Sequence, residues 1–204
     1  MAAYEIKNGV GIIPEGTTSI DIGAFSECAE LTSINIPSSV TNIGNCAFAD
    51  CTGLTHVTIP SSVTSINFCT FDGCTALTSI ELPDSITEII QSAFKNCKGL
   101  TSIDIPSSVK KIDKMAFRSS GLKSVSIPSS VKIIGPEAFM GCSNLEELTL
   151  GSGINKIAQD AFEFCKKLSR INVPAKKTEY YKTRLPEYLH QYIVEREPEK
   201  KTKK

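Results

Sequence analysis

LTSINIPSSVTNIGNCAFADCTG, residues 31–53, recurs along the chain on a nearly constant beat. Phe48 of this stretch has counterparts at Phe25, Phe71, Phe94, Phe117, Phe139 and Phe162, separated by 23, 23, 23, 23, 22 and 23 residues. Cys28, Cys51, Cys74, Cys97, Cys142 and Cys165 each follow their Phe by three, and Leu31, Leu54, Leu77, Leu100, Leu122, Leu145 and Leu168 keep the same period. So do Pro14, Pro37, Pro60, Pro83, Pro106, Pro128 and Pro174. Self-similarity at this period marks a solenoid, because one such unit cannot bury its own apolar side and stacked units can.

The chemistry of one unit gives its shape. Leu31, Ile34 and Ile36 turn inward while Thr32, Ser33 and Asn35 do not, and Ile34 to Ile36 has the period of a short strand. Pro37 lacks the N–H a ladder needs, so the strand stops there, and Ser38–Ser39 form a polar turn. Val40 and Ile43 return to the core from a second extended piece, and Ala47 and Phe48 fill the middle. Residues 48–51 are too few for a standard helix and are expected to form one helical or 3₁₀ turn. The seven Phe should stack as one aromatic column, and seven coils one strand spacing apart should rise roughly 34 Å.

Two units depart from the pattern. Between Phe117 and Leu122 one residue is missing, and Ser120 replaces the cysteine, which predicts a local kink or a tightened turn. Gly151 stands where a proline is expected, so the sixth strand should end in a different turn. The periodicity also stops after Pro174. Residues 1–30 read as an irregular first turn of a solenoid spanning 1–174, and residues 175–196 as a C-terminal cap. Tyr188, Leu189, Tyr192 and Ile193 predict a short helix over about 187–195, and 197–204 a disordered tail.

Composition limits the function. The chain has 204 residues with 22 basic against 22 acidic side chains. A neutral total argues against bulk nucleic-acid binding, and no apolar run is long enough to insert in a membrane. No G-x-G-x-x-G, Walker loop, H-E-x-x-H or G-x-S-x-G occurs, so no catalytic residues and no cofactor are expected. The eight Cys have no metal-ligand spacing; they read as reduced structural thiols, with inter-coil disulfides as the second reading. The zero sum hides polarity: residues 8–94 hold 9 acidic and no basic residues, residues 95–174 hold 7 and 12, and residues 175–204 hold 5 and 9. Lys110, Lys111, Lys132 and Lys156 are placed on the turn after each strand. Such polarity can steer an acidic partner or favour weak head-to-tail self-association.

With the core assigned, the remaining strand positions form outward ladders. One is Ser33, His56, Ser79, Ser102, Ser124, Glu147 and Arg170. The next is Asn35, Thr58, Glu81, Asp104, Ser126, Thr149 and Asn172. A third is Thr32, Thr55, Thr78, Thr101, Lys123, Glu146 and Ser169. The first two, without Asn172, are the candidate binding face. They are poor in the aromatics that dominate interfaces, so ligand binding and plain solvation stand level as readings.

The pattern L-T-x-I-x-I-P-x-S-V-x-x-I-x-x-x-A-F-x-x-C resembles the BspA-like, or Treponema-type, leucine-rich repeat family. It is carried by LTSINIPSSVTNIGNCAFADC, LTSIELPDSITEIIQSAFKNC and LTSIDIPSSVKKIDKMAFRSS over roughly residues 11–174, and by the ending VPAKKTEYYKTRLPEY. The resemblance implies an α/β solenoid with 22–23-residue coils, short parallel strands on one face, turns or single helical turns elsewhere, and a helical cap. It also implies a non-catalytic binding or adhesion module whose partner is a protein, including host or matrix proteins, at the cell surface or outside the cell. The opening MAAYEIKNG is not a signal peptide, which leaves a cytoplasmic location and an intracellular scaffold as the alternative.

Overall fold

A computed structural model describes residues 4–197. The chain coils as a parallel β-solenoid with two rows of short strands and a turn-rich third side. The first row runs through Val10–Ile12, Ser33–Ile34, His56–Thr58 and Ser79–Glu81, and continues as Ser124–Ile127, Glu147–Leu150 and Arg170–Val173. The second row holds Ser19–Ile20, Asn42–Ile43, Ser65–Ile66, Glu88–Ile89, Lys111–Ile112, Ile133–Ile134 and Lys156–Ile157. Paired strands in successive coils are parallel and in repeat register, as in His56↔Ser79 and Glu147↔Arg170.

Inside, Phe25, Phe48, Phe71, Phe94, Phe117, Phe139 and Phe162 form the expected column. Neighbouring ring centroids are 5.1–5.6 Å apart with planes within 5–11°. Every ring is buried, and Leu and Ile columns line it on both sides.

The third side is not the helical turn the sequence suggests. Six coils instead place two residues in the left-handed region four positions apart, such as Cys46 (φ 55°) and Asp50 (φ 57°) in one coil and Cys69 (φ 52°) and Gly73 (φ 76°) in the next, and the last coil keeps only Phe164 (φ 60°). A left-handed residue breaks a helix. Hydrogen bonding then alternates. The N–H groups of Cys46, Phe48 and Asp50 donate to Phe68, Thr70 and Asp72 in the following coil, at 2.7–3.0 Å. Those of Ala47, Ala49 and Cys51 fold back to Gly44, Cys46 and Phe48, at 3.1–3.2 Å. Every donor in the run is satisfied, half within the coil and half between coils.

The two irregular units have distinct causes. Ser120 is buried in the cysteine position, its Oγ 3.3 Å from the Cys142 Sγ. The shortened loop leaves a shallow cleft of about 260 Å³ lined by Ser119, Ser120, Gly121 and Asn144 among others. At the other irregular unit, a Cβ on residue 151 would lie 2.4 Å from the Ser129 nitrogen, so only glycine fits. The Gly151 carbonyl also accepts the hydroxyl of the buried Tyr181.

Both ends are closed by added strands. Glu5–Lys7 pairs antiparallel with Val10–Ile12 across Asn8–Gly9, both with positive φ (51° and 81°) as a two-residue hairpin turn requires. Tyr4 stacks on Phe25 at 5.1 Å and extends the aromatic column by one ring. At the C-terminus, Thr178–Lys182 is a one-turn α-helix, Glu187–Tyr192 is a 3₁₀ helix, and Ile193–Glu195 pairs parallel with Arg170–Val173. The single helix expected over 187–195 is therefore 3₁₀ helix in its first six residues and strand in its last three. Ile193 and Val194 satisfy the open edge of the last coil, which a helix could not do. The tail expected over 197–204 lies, from residue 198 on, outside the described residues.

Candidate binding face

The first strand row presents its outward side chains in straight ladders, because each coil repeats the last in register. Ser33, His56 and Ser79 are successive rungs, as are Ser124, Glu147 and Arg170. Thr58 pairs with Glu81 in the next ladder, and Ser126 with Thr149. Asn35, His56, Thr58, Ser79, Glu81, Ser102, Asp104, Ser124, Ser126, Glu147 and Arg170 are exposed, and Ser33 and Thr149 are half-buried. Residues 101–105 carry no strand assignment, so the hydrogen-bonded row is interrupted in the middle of this face.

Asn172 is not part of the exposed ladder. It is buried, because Val194 of the terminal strand lies beside it. Its Nδ2 donates to the Glu147 carboxylate and, at 3.3 Å, to the Thr149 hydroxyl. The third ladder has a structural duty as well. The hydroxyls of Thr32, Thr55 and Thr78 donate to the carbonyls of Gly9, Thr32 and Thr55 at 3.0–3.1 Å, bonding each coil to the one before.

Charge is uneven across the face. Glu81 accepts from the Thr58 hydroxyl at 3.3 Å, and neither Glu81 nor Asp104 pairs with a cation among the described residues. Further along, Arg170 lies 3.9 Å from Glu147 and its Nε donates to the Asn172 side-chain Oδ1 at 3.1 Å. The centre is thus net acidic and the C-terminal end is self-compensated.

Three apolar side chains border the face that reading of the repeat alone does not supply. Val10 and Ile12 come from the N-terminal hairpin, with Val10 opposite Ser33, and Val194 comes from the terminal strand opposite Asn172. All three are exposed. The signal for the first two was the Asn8–Gly9 turn between alternating residues.

The cysteines are part of the frame. The thiols of Cys51, Cys74, Cys97, Cys142 and Cys165 donate to the carbonyls of Phe25, Phe48, Phe71, Phe117 and Phe139 at 2.9–3.2 Å. All eight cysteines are free. Burial raises the pKa of the hydrogen-bonded thiols: Cys142 to about 11, Cys51 and Cys165 to about 12, and Cys74 and Cys97 further still. Thiols so hard to ionise are poor nucleophiles and poor metal ligands at neutral pH. Among the described residues, no group of three or more His, Cys, Asp or Glu is placed to hold a metal ion. No helix among them is long and apolar enough to cross a membrane.

The repeat's own model, a BspA type leucine rich repeat region in six copies, matches residues 10–123 and 65–185. The chain belongs to the BspA-type leucine-rich repeat family. The leucine-rich repeat protein TpLRR of T. pallidum is similar over most of both chains: 31% identity, 91% of this chain and 88% of that one, TM-score 0.63. The pneumococcal vaccine antigen PcpA shares the fold at 17% identity and TM-score 0.70, covering 89% of this chain and 42% of PcpA. No curated protein matches the sequence. The BspA-type motif residues, the Leu, Ile, Phe and Cys columns, are those that the structure buries, so membership defines the scaffold and leaves the ladders as the variable part.

Proposed function

We infer that this BspA-type repeat is a non-catalytic protein-binding module that reads its partner with the first strand row. The supporting observation is an outward face of repeated rungs whose central carboxylates, Glu81 and Asp104, lack counter-charges among the described residues, bordered by exposed Val10, Ile12 and Val194. A polar, acidic centre between apolar edges suits a protein surface carrying basic groups. The partner class is a host or matrix protein and the location the cell surface or outside, as the family resemblance implies. Pull-down against matrix proteins, beside one against a lysate of the source cell, tests this. Capture of a matrix protein by the natural chain, lost with Glu81→Arg/Asp104→Arg, is the expected result. No partner above background on the matrix side argues against adhesion.

A second reading, an intracellular scaffold, is favoured by one observation. Five thiols spend their S–H groups on inter-coil hydrogen bonds and would be consumed by oxidation. Capture of a partner from the lysate alone would select it. Weak head-to-tail self-association, supported by the charge polarity, would show as concentration-dependent sedimentation.

A further inference from the structure

The second strand row carries a feature that packing does not explain. Its outer ladder reads Thr18, Thr41, Thr64, Thr87, Lys110, Lys132 and Asn155. Thr41 and Thr87 use their hydroxyls as the first row does, donating to the preceding coil's carbonyl at 3.1 and 3.3 Å. Thr64 makes no such bond, and the lysines at 110 and 132 have no hydroxyl to make one. The two lysines are successive rungs, the Lys132 N–H donating to the Lys110 carbonyl at 2.8 Å, so two ammonium stems are set one coil apart. Like charges directly opposite in a sheet are destabilising.

The neighbouring ladder adds to this. Lys111, Ile133 and Lys156 are register partners in consecutive strands, so these lysines are strand residues and not, as the sequence suggested, turn residues. Lys111 is held by Asp113 at 2.9 Å, and Glu88 is its partner on the other side. Arg184 reaches the Asn155 carbonyl at 3.1 Å from the C-terminal segment. Lys110, Lys132 and Lys156 make no ion pair among the described residues. In their midst Ile133 is exposed, in a ladder otherwise made of Ser19, Asn42, Ser65, Glu88, Lys111 and Lys156. A repulsion accepted and an apolar side chain left in water are two local losses at one place, the mark of a surface kept for a partner.

We propose that the second-row patch of Lys110, Lys132 and Lys156 around Ile133 is a second binding surface, which takes an extended acidic protein segment with an apolar side chain among its carboxylates. The carboxylates neutralise the unpaired lysines and the apolar group covers Ile133. This surface is separate from the Glu81/Asp104 face and does not depend on the reading given to it.

The test uses fluorescence anisotropy with the whole chain and a labelled glutamate-rich dodecapeptide carrying one central Leu. The same peptide with Ser at that position and heparin are the comparison ligands. The Leu peptide should bind several-fold more tightly than the Ser peptide and weaken with rising salt. Lys110→Glu/Lys132→Glu should weaken it at least tenfold without lowering Tm, since one exposed like-charge pair replaces another. Ile133→Ser should abolish the difference between the two peptides. Glu81→Arg/Asp104→Arg should leave binding unchanged, so that failure on one face is told apart from failure on the other. Equal binding of the two peptides, undiminished binding to Lys110→Glu/Lys132→Glu, or heparin bound more tightly than the Leu peptide would each overturn the proposal.

Discussion

The coil over residues 54–76 and the coil over 100–121 have the same interior and different edges. In both, the Leu, Val and Phe columns are fully buried, and Phe71 and Phe117 each stack on Phe94, at 5.6 and 5.3 Å. Yet the first has a hydrogen-bonded strand, His56–Thr58, and a Cys74 thiol bonded to the preceding Phe carbonyl. The second has no strand at 101–105, one residue fewer, and Ser120 in place of the thiol. The solenoid passes through a break in its backbone ladder because the side-chain columns do not break. Packing, more than strand pairing, holds these coils together.

The sharpest way to break that comparison is to cut the column on both sides of the interruption. Phe71→Ala and Phe117→Ala should each cost about 3–5 kcal/mol, since both rings are enclosed and their cavities cannot collapse. If the ladder rather than the column carries the chain past residues 101–105, Phe117→Ala will cost clearly less than Phe71→Ala in urea unfolding. Equal losses support the column.

The thiols give a second, pH-dependent comparison. The ordinary thiol value is 9.0, and burial lifts Cys142 to about 11 and Cys51 to about 12. Below pH 9 both folded and unfolded chains keep these protons, so the contribution is complete. Above it the unfolded chain releases protons first, and stability falls until the folded thiols ionise near pH 11–12. Each such thiol contributes a slope of about 1.4 kcal/mol per pH unit in that window. Urea titrations between pH 7 and 11 under reductant should show the decline, and Cys142→Ala should make it shallower. A curve flat to pH 11 would contradict the buried thiol column.

How far the sequence reaches follows from the same distinction. Columns are legible because each rung is the same residue type at the same period: Phe48, Cys51 and Leu54 announce the core without any knowledge of the backbone. The left-handed pairs were not legible as a repeat feature, because Cys46, Met115 and Phe164 (φ 55°, 58° and 60°) are not residues that advertise positive φ, and those that do, Gly23, Asp50, Gly73, Asn96 and Gly141, fall irregularly among them. The ends were half-legible. Asn8–Gly9 states a hairpin, whereas Ile193–Glu195 becomes a strand only because an unpaired coil edge is waiting for it, a fact about the whole stack. The same added strand buries Asn172, the last member of the second ladder. The lysines were visible as a cluster, but their alternation with Ile133 across two ladders requires the register.

Restoring the missing rung is a smaller perturbation. Ser120→Cys places a thiol where Cys97 and Cys142 have theirs, with the Phe94 carbonyl as its expected acceptor by analogy with Cys97 and Phe71. Ser120 is already buried, and its hydroxyl is satisfied by Cys142, so the exchange should gain no more than about 1 kcal/mol. A loss instead would mean that the shortened loop has settled around the smaller oxygen.

The smallest effect is expected on the candidate face, and its sign is informative. Glu81 and Asp104 are successive rungs without counter-ions, so the natural pair repels. Glu81→Lys alone turns the repulsion into attraction and should stabilise by a few tenths of a kcal/mol, the scale of an exposed pair. Reversing both, Glu81→Lys/Asp104→Lys, restores a like-charge pair and should return stability to the natural value. The interaction read from this cycle should shrink in 0.5 M salt, because exposed charges are screened. A loss of more than about 2 kcal/mol from either single change would place these carboxylates in the frame rather than on the face. A face that tolerates reversal while losing its partner is what a binding surface, as opposed to a structural one, should show.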